Sequence, residues 1–205
     1  MVFTVINGMP IGMLCIYGLT NTIPSVDKKD AAQALLDYTA AKDHLAASIK
    51  DAVKEARARC AEIIVYTDCN DAMDDEDRYL VPSMEPCPQT QNLHGARVIQ
   101  VLEELALIDV WKLKYPGVKA GTFDKEVGGK VVSSHRIDRF YMSGGLIKAC
   151  GGISNVEMQV ATSKMGLSDH HRVIALLLPP AWADVGKRSL AHFSRGSKTR
   201  RWRLD

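Results

Sequence analysis

The chain has 205 residues, which at about 150 residues per domain predicts one domain with room for an appendage. Hydrophobic residues make up 46% and charged residues 24%, with 15 glycines and 8 prolines, a composition that excludes collagen-like, coiled-coil and disordered classes. The five cysteines include no C-x-x-C pair, which argues against a disulfide framework or a zinc knuckle and favours a reducing compartment.

The net charge is only +2, but it is unevenly distributed. Residues 186–205 contain seven lysines and arginines against one aspartate, so the body is mildly acidic and the end strongly basic. This asymmetry predicts an acidic partner for the tail, and a solvated, disordered end is the alternative. We therefore divide the chain into a domain at 1–180 and a basic tail or linker at 181–205.

Residues 2–19 are apolar, but they do not have the features of a signal peptide. A basic n-region is missing, Asn7, Gly8, Pro10 and Gly12 interrupt the stretch, and no small-residue cleavage pattern follows. No run reaches the 18 apolar residues or so that span a bilayer. We expect a soluble intracellular protein with no membrane partner, and the nucleus is one candidate location.

The first elements predict a strand–helix–strand unit. Val2 to Ile6 and Ile11 to Tyr17 form a predicted hairpin around Asn7-Gly8, a pair that tolerates the positive φ of a tight turn. Apolar residues at helical spacing then predict a long helix to about residue 59, with Asp30 and Gln33 as a capping box. A buried-type strand at 62–66 leads into Asp68 and Asn70, so polar side chains follow the strand end.

The remaining elements are shorter. Residues 71–93 predict a long loop, and residues 144–152 a glycine-rich loop. A helix is predicted at about 95–106. Strands are predicted at about 120–124, 130–134, 136–142, 153–162 and 172–178, with Gly128-Gly129 as the turn between the first two.

Three polar clusters are predicted at strand ends: Asp68 with Asn70, Asp138, and Asp169 with His170. Each alone is more often a turn former than a functional site. Together they combine an aspartate that can orient an imidazole with oxygen donors that suit a hard cation such as Mg²⁺. No nucleophilic serine or cysteine context and no glycine-rich phosphate loop is present, which argues against covalent acyl chemistry and nucleotide cradling.

The order of these motifs resembles the endonuclease/exonuclease/phosphatase superfamily. The matching segments are Ile16-Tyr17, Val65-Tyr66-Thr67-Asp68-Cys69-Asn70, Ser134-His135-Arg136-Ile137-Asp138-Arg139 and Leu167-Ser168-Asp169-His170. The resemblance covers about residues 3–178. It implies an α/β (α+β) fold, a four-layer sandwich of two mostly antiparallel sheets flanked by helices, and metal-dependent phosphodiester hydrolysis.

The resemblance also implies a role for each matched residue. Asp68 would align or deprotonate the attacking water, and Asn70 would hold the scissile phosphate. His170 would stabilise charge on the phosphoryl oxygen, Asp138 would orient its ring, and Tyr17 would donate to the phosphate.

A divalent metal is implied as well, Mg²⁺ or Mn²⁺, with Asp169 beside it. The family carries an Asn and a metal-binding Glu before the tyrosine-bearing strand, and this chain begins at that strand. We therefore hypothesise that the N-terminal part is missing, that the chain is a fragment, and that loss of this carboxylate weakens or abolishes hydrolysis.

The predicted partner is DNA, with RNA as an alternative. Within the superfamily, the Ser-His-Arg-Ile-Asp-Arg-Phe-Tyr string resembles the endonuclease of non-LTR retrotransposons, which implies fusion to a reverse transcriptase in a full-length parent. The predicted nucleic-acid contacts are Arg136, Lys198, Arg200, Arg201, Trp202 and Arg203. Two alternatives remain open: a noncatalytic nucleic-acid-binding remnant, and a phosphoinositide or small-molecule phosphatase.

Overall fold

The computed structural model describes residues 1–19, 31–70, 72, 74–87, 97–164 and 169–177. The capping-box residue Asp30 and the tail at 181–205 lie outside these residues. The strands are β1 (Val2–Ile6), β2 (Met9–Tyr17), β3 (Glu62–Asp68), β4 (Arg78–Leu80), β5 (Leu107–Asp109), β6 (Phe123–Val127), β7 (Lys130–His135), β8 (Asp138–Ser143), β9 (Val156–Lys164) and β10 (His171–Leu177). The helices are α1 (Ala31–Ala58), α2 (Arg97–Glu104), α3 (Val110–Lys114) and α4 (Gly144–Ala149), with a short 3₁₀ helix at Ile153–Asn155.

The predicted strand–helix–strand unit is confirmed. β1 and β2 form the hairpin, β2 and β3 pair in parallel, and α1 makes the crossover between them. Successive residues of β3 face opposite sides of the sheet, as the alternation of a strand requires. Ile63 and Val65 pack in one core with α1 and α2, whereas Ile64 packs against the other core.

The described strands form three sheets. The largest has the order β1-β2-β3-β8-β5, and all of its pairs except β2–β3 are antiparallel. The others are β4-β7-β6 and β10-β9, both antiparallel. Helices α1 and α2 cover one face of the five-stranded sheet, and β9, β10 and α4 pack on the other. This mixed architecture of helices on mostly antiparallel sheets confirms the predicted fold class.

Two segments predicted as loops contain regular structure. β4 lies within 71–93 because it pairs with β7, a partner about 50 residues further along the chain. α4 begins at Gly144-Gly145, where the glycines indicated a loop. A Cβ on Gly145 would lie 2.1 Å from Glu62 Oε1, so this glycine lets the Glu62 side chain lie close to the start of α4. Among the helices that the structure describes, none combines the length and apolar character needed to cross a bilayer.

Candidate active site

The candidate active site begins with a row of three residues on neighbouring strands of the five-stranded sheet. Tyr17 pairs with Asp68 across β2 and β3, and Asp68 pairs with Asp138 across β3 and β8. Residues directly opposite each other on paired strands project from the same face. The register therefore brings together residues that are separated by more than 50 positions in the sequence.

Asp138 and His170 form the tightest contact of the site. His170 Nδ1 lies 2.8 Å from Asp138 Oδ2, and the Tyr66 hydroxyl donates to Asp138 Oδ1 at 3.0 Å. Asp138 is 3% exposed, so its carboxylate is held by two defined partners. On the other side of the ring, His170 Nε2 lies 3.8 Å from Oδ1 of the exposed Asp169.

Tyr66 was not predicted as a site residue, although the sequence contains a signal for it. It lies two residues before Asp68, and alternation along a strand places residues i and i+2 on the same face. A second missed residue, Thr122, is 1% exposed, and its Oγ1 accepts the backbone N–H groups of Ile137 and Asp138, each at 3.0 Å. The backbone at the start of β8 is thus bonded to the Thr122 side chain.

The loop after β3 is anchored through Gly18. Asn70 Nδ2 donates to the Gly18 carbonyl at 2.7 Å, and the Gly18 N–H donates to the Asp68 carbonyl at 2.6 Å. The Asn70 N–H donates to Asp68 Oδ1 at 2.9 Å, and Asn70 has a φ of +49°, which asparagine tolerates better than most residues. The carboxamide and the carboxylate of this motif are thus fixed relative to each other.

Asp68 is buried, and its electrostatic surroundings are unfavourable for a negative charge. Burial raises the pKa of Asp68, and the nearby Asp138 and Asp169 raise it further, whereas the hydrogen bond from the Asn70 N–H and the charge of His170 act in the opposite direction. The net result is a pKa above the usual range of an aspartate. In the described part of the chain, no lysine or arginine forms an ion pair with Asp68 or Asp138.

These charges fit a divalent cation. Ligand atoms of Asp68, Asp138 and His170 all lie within 4.8 Å of one another. Both oxygens of Asp138 accept hydrogen bonds, whereas the Asn70 N–H occupies only Oδ1 of Asp68, so Asp68 Oδ2 is the oxygen that would hold the ion, with Asp169 as a further carboxylate nearby. Carboxylate oxygens suit Mg²⁺ and Mn²⁺, and a nearby cation would offset the excess negative charge.

The adjacent histidine has a different environment. His171 Nε2 lies 2.8 Å from Asp124 Oδ2, and His171 Nδ1 lies 3.0 Å from the Ala161 carbonyl. Ser134 Oγ donates to the other Asp124 oxygen at 2.6 Å. His171 and Asp124 line an open cavity of about 550 Å³. His171 therefore faces away from the three residues of the carboxylate site, and its ring nitrogens are both engaged.

The predicted nucleic-acid contact of Arg136 is wrong. Arg136 is 3% exposed, and its guanidinium lies 2.7 Å from Asp77 Oδ1 and 2.9 Å from Asp109 Oδ2. Arg139 binds the same two carboxylates, at 2.6 Å from Asp77 Oδ2 and 3.1 Å from Asp109 Oδ2. The four charges form a buried cluster, so Arg136 stabilises the fold and is inaccessible to a nucleic acid.

The cluster also explains the role of Asp109. Its Oδ1 accepts the N–H groups of Trp111 and Lys112 and so caps α3. Burial alone would raise the pKa of Asp77, but Arg139 and Arg136 outweigh this effect and lower it to about 2. Burial would likewise raise the pKa of Asp109, but Arg136 and Arg139 lower it, so both carboxylates are ionised at neutral pH.

Of the other predicted site residues, the structure describes Tyr17 and Asp169 but not those of the basic tail. Tyr17 is 67% exposed beside Asp68, and Asp169 is exposed beside His170. Lys198, Arg200, Arg201, Trp202 and Arg203 lie outside the described residues, and their contact with nucleic acid stays a prediction.

No protein-family model and no curated protein sequence matches the chain. Among solved structures, the 3'-5' exonuclease NExo from Neisseria meningitidis is similar, with a TM-score of 0.55 and 16% identity over 85% of this chain and 63% of that chain. The structure of the 3' phosphatase NExo from Neisseria bound to product DNA hairpin has a TM-score of 0.54, with the same identity and coverage. The chain spans 63% of the length of these structures. It therefore has the fold of these two structures of NExo.

Proposed function

We propose that the chain hydrolyses phosphodiester bonds in DNA with the help of a divalent metal. The observation that carries this proposal is the hydrogen bond between Asp138 and His170 beside the buried Asp68. Hydrolysis of a phosphodiester requires a positioned water and preorganised donors around the phosphate, and no covalent intermediate is needed. A metal ion, when bound, supplies positive charge to the phosphoryl oxygens.

Each residue has a distinct part in this proposal. Asp138 accepts a hydrogen bond from His170 Nδ1, which fixes the tautomer and the orientation of the ring. In its doubly protonated form, His170 donates from the opposite nitrogen to a phosphoryl oxygen and stabilises its developing charge. Asp68 aligns the attacking water and accepts its proton. Asn70 and Tyr17 hold the phosphate from the neighbouring strand ends.

DNA is the substrate to test first because the 3' phosphatase NExo, which has this fold, is bound to a product DNA hairpin. The finer proposal is a nicking endonuclease of the retrotransposon type, supported by the Ser134-to-Tyr141 string and the basic tail. If the tail binds DNA through phosphates, replacing Arg200, Arg201 and Arg203 by alanine lowers affinity on all sequences. The slope of log K against log salt should also fall by about 0.9 for each phosphate that the tail no longer neutralises.

A plasmid-nicking assay with Mg²⁺ or Mn²⁺ tests the proposal. We expect Asp68→Asn and His170→Ala to abolish nicking, whereas Asp75→Asn and His44→Ala, which change exposed residues of the same types, retain it. Salt-sensitive DNA binding by a wild-type chain that does not nick would indicate a noncatalytic binding remnant. Release of inorganic phosphate without nicking would indicate a phosphatase.

A further inference from the structure

A second row of side chains leads away from His170 across the three-stranded sheet. Arg78 pairs with His135 across β4 and β7, and His135 pairs with Phe123 across β7 and β6. An isolated bridge then pairs Phe123 with His170. Because residues opposite each other share a face, the four side chains form one continuous row that ends at the candidate active site.

The rings in this row contact one another by their edges. The ring centroids of Phe123 and His170 are 5.5 Å apart, with an interplanar angle of 62°. Those of Phe123 and His135 are 6.2 Å apart, with an angle of 81°. All three side chains are only half-buried. In an edge-to-face pair the edge of one ring covers one face of the other, so a planar group would stack on a face that the neighbouring ring does not cover.

Phe123 lies outside the two hydrophobic core clusters. Of the three phenylalanines in the part of the chain that the structure describes, Phe3 packs against the core with α1 and α2, and Phe140 against the core with β9 and α4. Phe123 belongs to neither cluster. Phe123 is thus a partly buried ring outside both core clusters, placed where it can contact a molecule bound at the site.

Positive charge borders the rings. Lys125 is exposed and lies two residues after Phe123 on β6, on the same face of the sheet. Burial, followed by the charges of Arg78 and Lys125, lowers the pKa of His135, so both cations lie close to this ring. The ring is consequently neutral at pH 7. Aromatic faces flanked by cations are the feature by which proteins bind unpaired nucleotides.

We infer that Phe123 and His135, with Lys125 and Arg78 beside them, bind an unpaired nucleotide adjacent to the phosphate at His170. We call these four residues the aromatic strip. A base stacks on Phe123 or His135, and the flanking phosphate lies near Lys125. The substrate class is then single-stranded or locally unpaired DNA rather than continuous duplex. The inference rests on the proposed function for the position of the cleaved phosphate.

Binding measured without metal tests the inference separately from hydrolysis. Fluorescence anisotropy in EDTA compares a labelled single-stranded oligonucleotide with the same strand in a duplex. Phe123→Leu keeps an apolar side chain but removes the ring, and we expect it to weaken single-strand binding about tenfold with little effect on the duplex. Phe123→Tyr should bind like the wild type. Phe3→Leu, at the far edge of the five-stranded sheet, is the matched control and should leave binding unchanged.

The charge is tested in the same assay. Lys125→Ala should reduce the salt dependence of single-strand binding by the equivalent of about one phosphate contact. Lys130→Ala changes an exposed lysine at the other end of β7 and should have no effect. Thermal unfolding shows whether Phe123→Leu folds. If it does not fold, Lys125→Ala and His135→Gln are used in its place in the binding assay.

The two proposals fail in different ways. If nicking requires Asp68 and His170 but Phe123→Leu, His135→Gln and Lys125→Ala all bind single strands like the wild type, the aromatic strip is overturned while hydrolysis stands. Equal losses on single strand and duplex also overturn it. If the wild type does not nick DNA but the three variants lose single-strand affinity selectively, the aromatic strip is supported and the hydrolysis proposal falls.

Discussion

His170 Nδ1 lies 2.8 Å from Asp138 Oδ2, although the two residues are 32 positions apart in the sequence. An aspartate in this position holds the Nδ1–H tautomer of the imidazole, so that the other nitrogen is directed to the substrate. We expect Asp138→Asn to lower the rate of DNA nicking by about 10²- to 10⁴-fold, because the amide preserves the shape but not the tautomer. DNA affinity measured in EDTA should stay close to that of the wild type.

Tyr66→Phe is a smaller change that tests the same Asp138–His170 contact. It removes only the hydroxyl that donates to Asp138 Oδ1, and we expect a loss of nicking of roughly tenfold, since a hydrogen bond to a charged group is worth about 1.5–3 kcal/mol. Equal rates for Asp138→Asn and the wild type would show that the Asp138–His170 contact has no part in hydrolysis.

Asp68 should reduce the stability of the metal-free protein at neutral pH. Burial and the charges of Asp138 and Asp169 raise its pKa, so the folded chain binds this proton more tightly than the unfolded chain does. The associated stability is present below the unfolded pKa of about 3.9 and is lost as pH rises through the folded pKa. Asp68→Asn should therefore melt a few degrees higher than the wild type at pH 7 in EDTA, and the difference should shrink toward pH 4.

The thermal midpoint across this pH range checks the prediction. Asp75→Asn changes an exposed aspartate in the same region and serves as the control, with no expected change in its midpoint relative to the wild type. A lower midpoint for Asp68→Asn at pH 7 would mean that the carboxylate is a net stabilising group.

The buried cluster around Asp77 should dominate the acid sensitivity of the fold. Asp77→Asn leaves Arg139, which is 1% exposed, without full compensation, and we expect the free energy of unfolding to fall by about 3–5 kcal/mol. Because Arg139 and Arg136 hold the pKa of Asp77 near 2 against the effect of burial, its stabilisation is present above about pH 3.9. It is lost as pH falls through about 2.

Urea unfolding at a series of pH values measures both effects. Glu55→Gln breaks the exposed pair with Arg59, at 2.6 Å, and should cost only about 0.3–0.5 kcal/mol. If Asp77→Asn and Glu55→Gln lower the free energy of unfolding by similar amounts, the buried cluster stabilises the fold no more than an exposed ion pair does.

Gly18 is required by a close approach of two chain segments. A Cβ at this position would lie 2.5 Å from the Cys69 carbonyl oxygen and 2.9 Å from that of Asp68. Gly18→Ala must therefore displace the loop that carries Asp68 and Asn70, and a displacement on the order of 1 Å can cost about 10²-fold in rate. We expect nicking to fall by that order with most of the thermal stability retained.

Gly144→Ala is the matched control for this change. The nearest heavy atom to its added Cβ is the Ile108 Cδ1 at 3.8 Å, an ordinary contact distance. Nicking and thermal stability should both be preserved. If Gly144→Ala lost activity and Gly18→Ala did not, the close contact between Gly18 and the carbonyls of Asp68 and Cys69 would not be needed for nicking.

Local sequence patterns determined much of the fold. The Asn7-Gly8 turn, the helical spacing in α1 and the apolar run of β3 each depend on neighbours within a few residues, and all three elements were predicted. The motifs around Asp68, Asp138 and His170 likewise indicated the fold type and the candidate site. β4 and α4 were not predicted, because β4 depends on pairing with β7 and because Gly144-Gly145 favours a loop when considered alone.

Only the tertiary structure decided which charged residues are buried in the interior and which lie at the candidate active site. Arg136 and Asp138 are two positions apart in one predicted strand, and the sequence offers no way to tell a surface arginine from a buried one. Asp77 and Asp109 reach Arg136 from 59 and 27 positions away and satisfy its charge in the interior. The alignment of Tyr17, Asp68 and Asp138 depends in the same way on strand register, a property that arises from packing between distant segments.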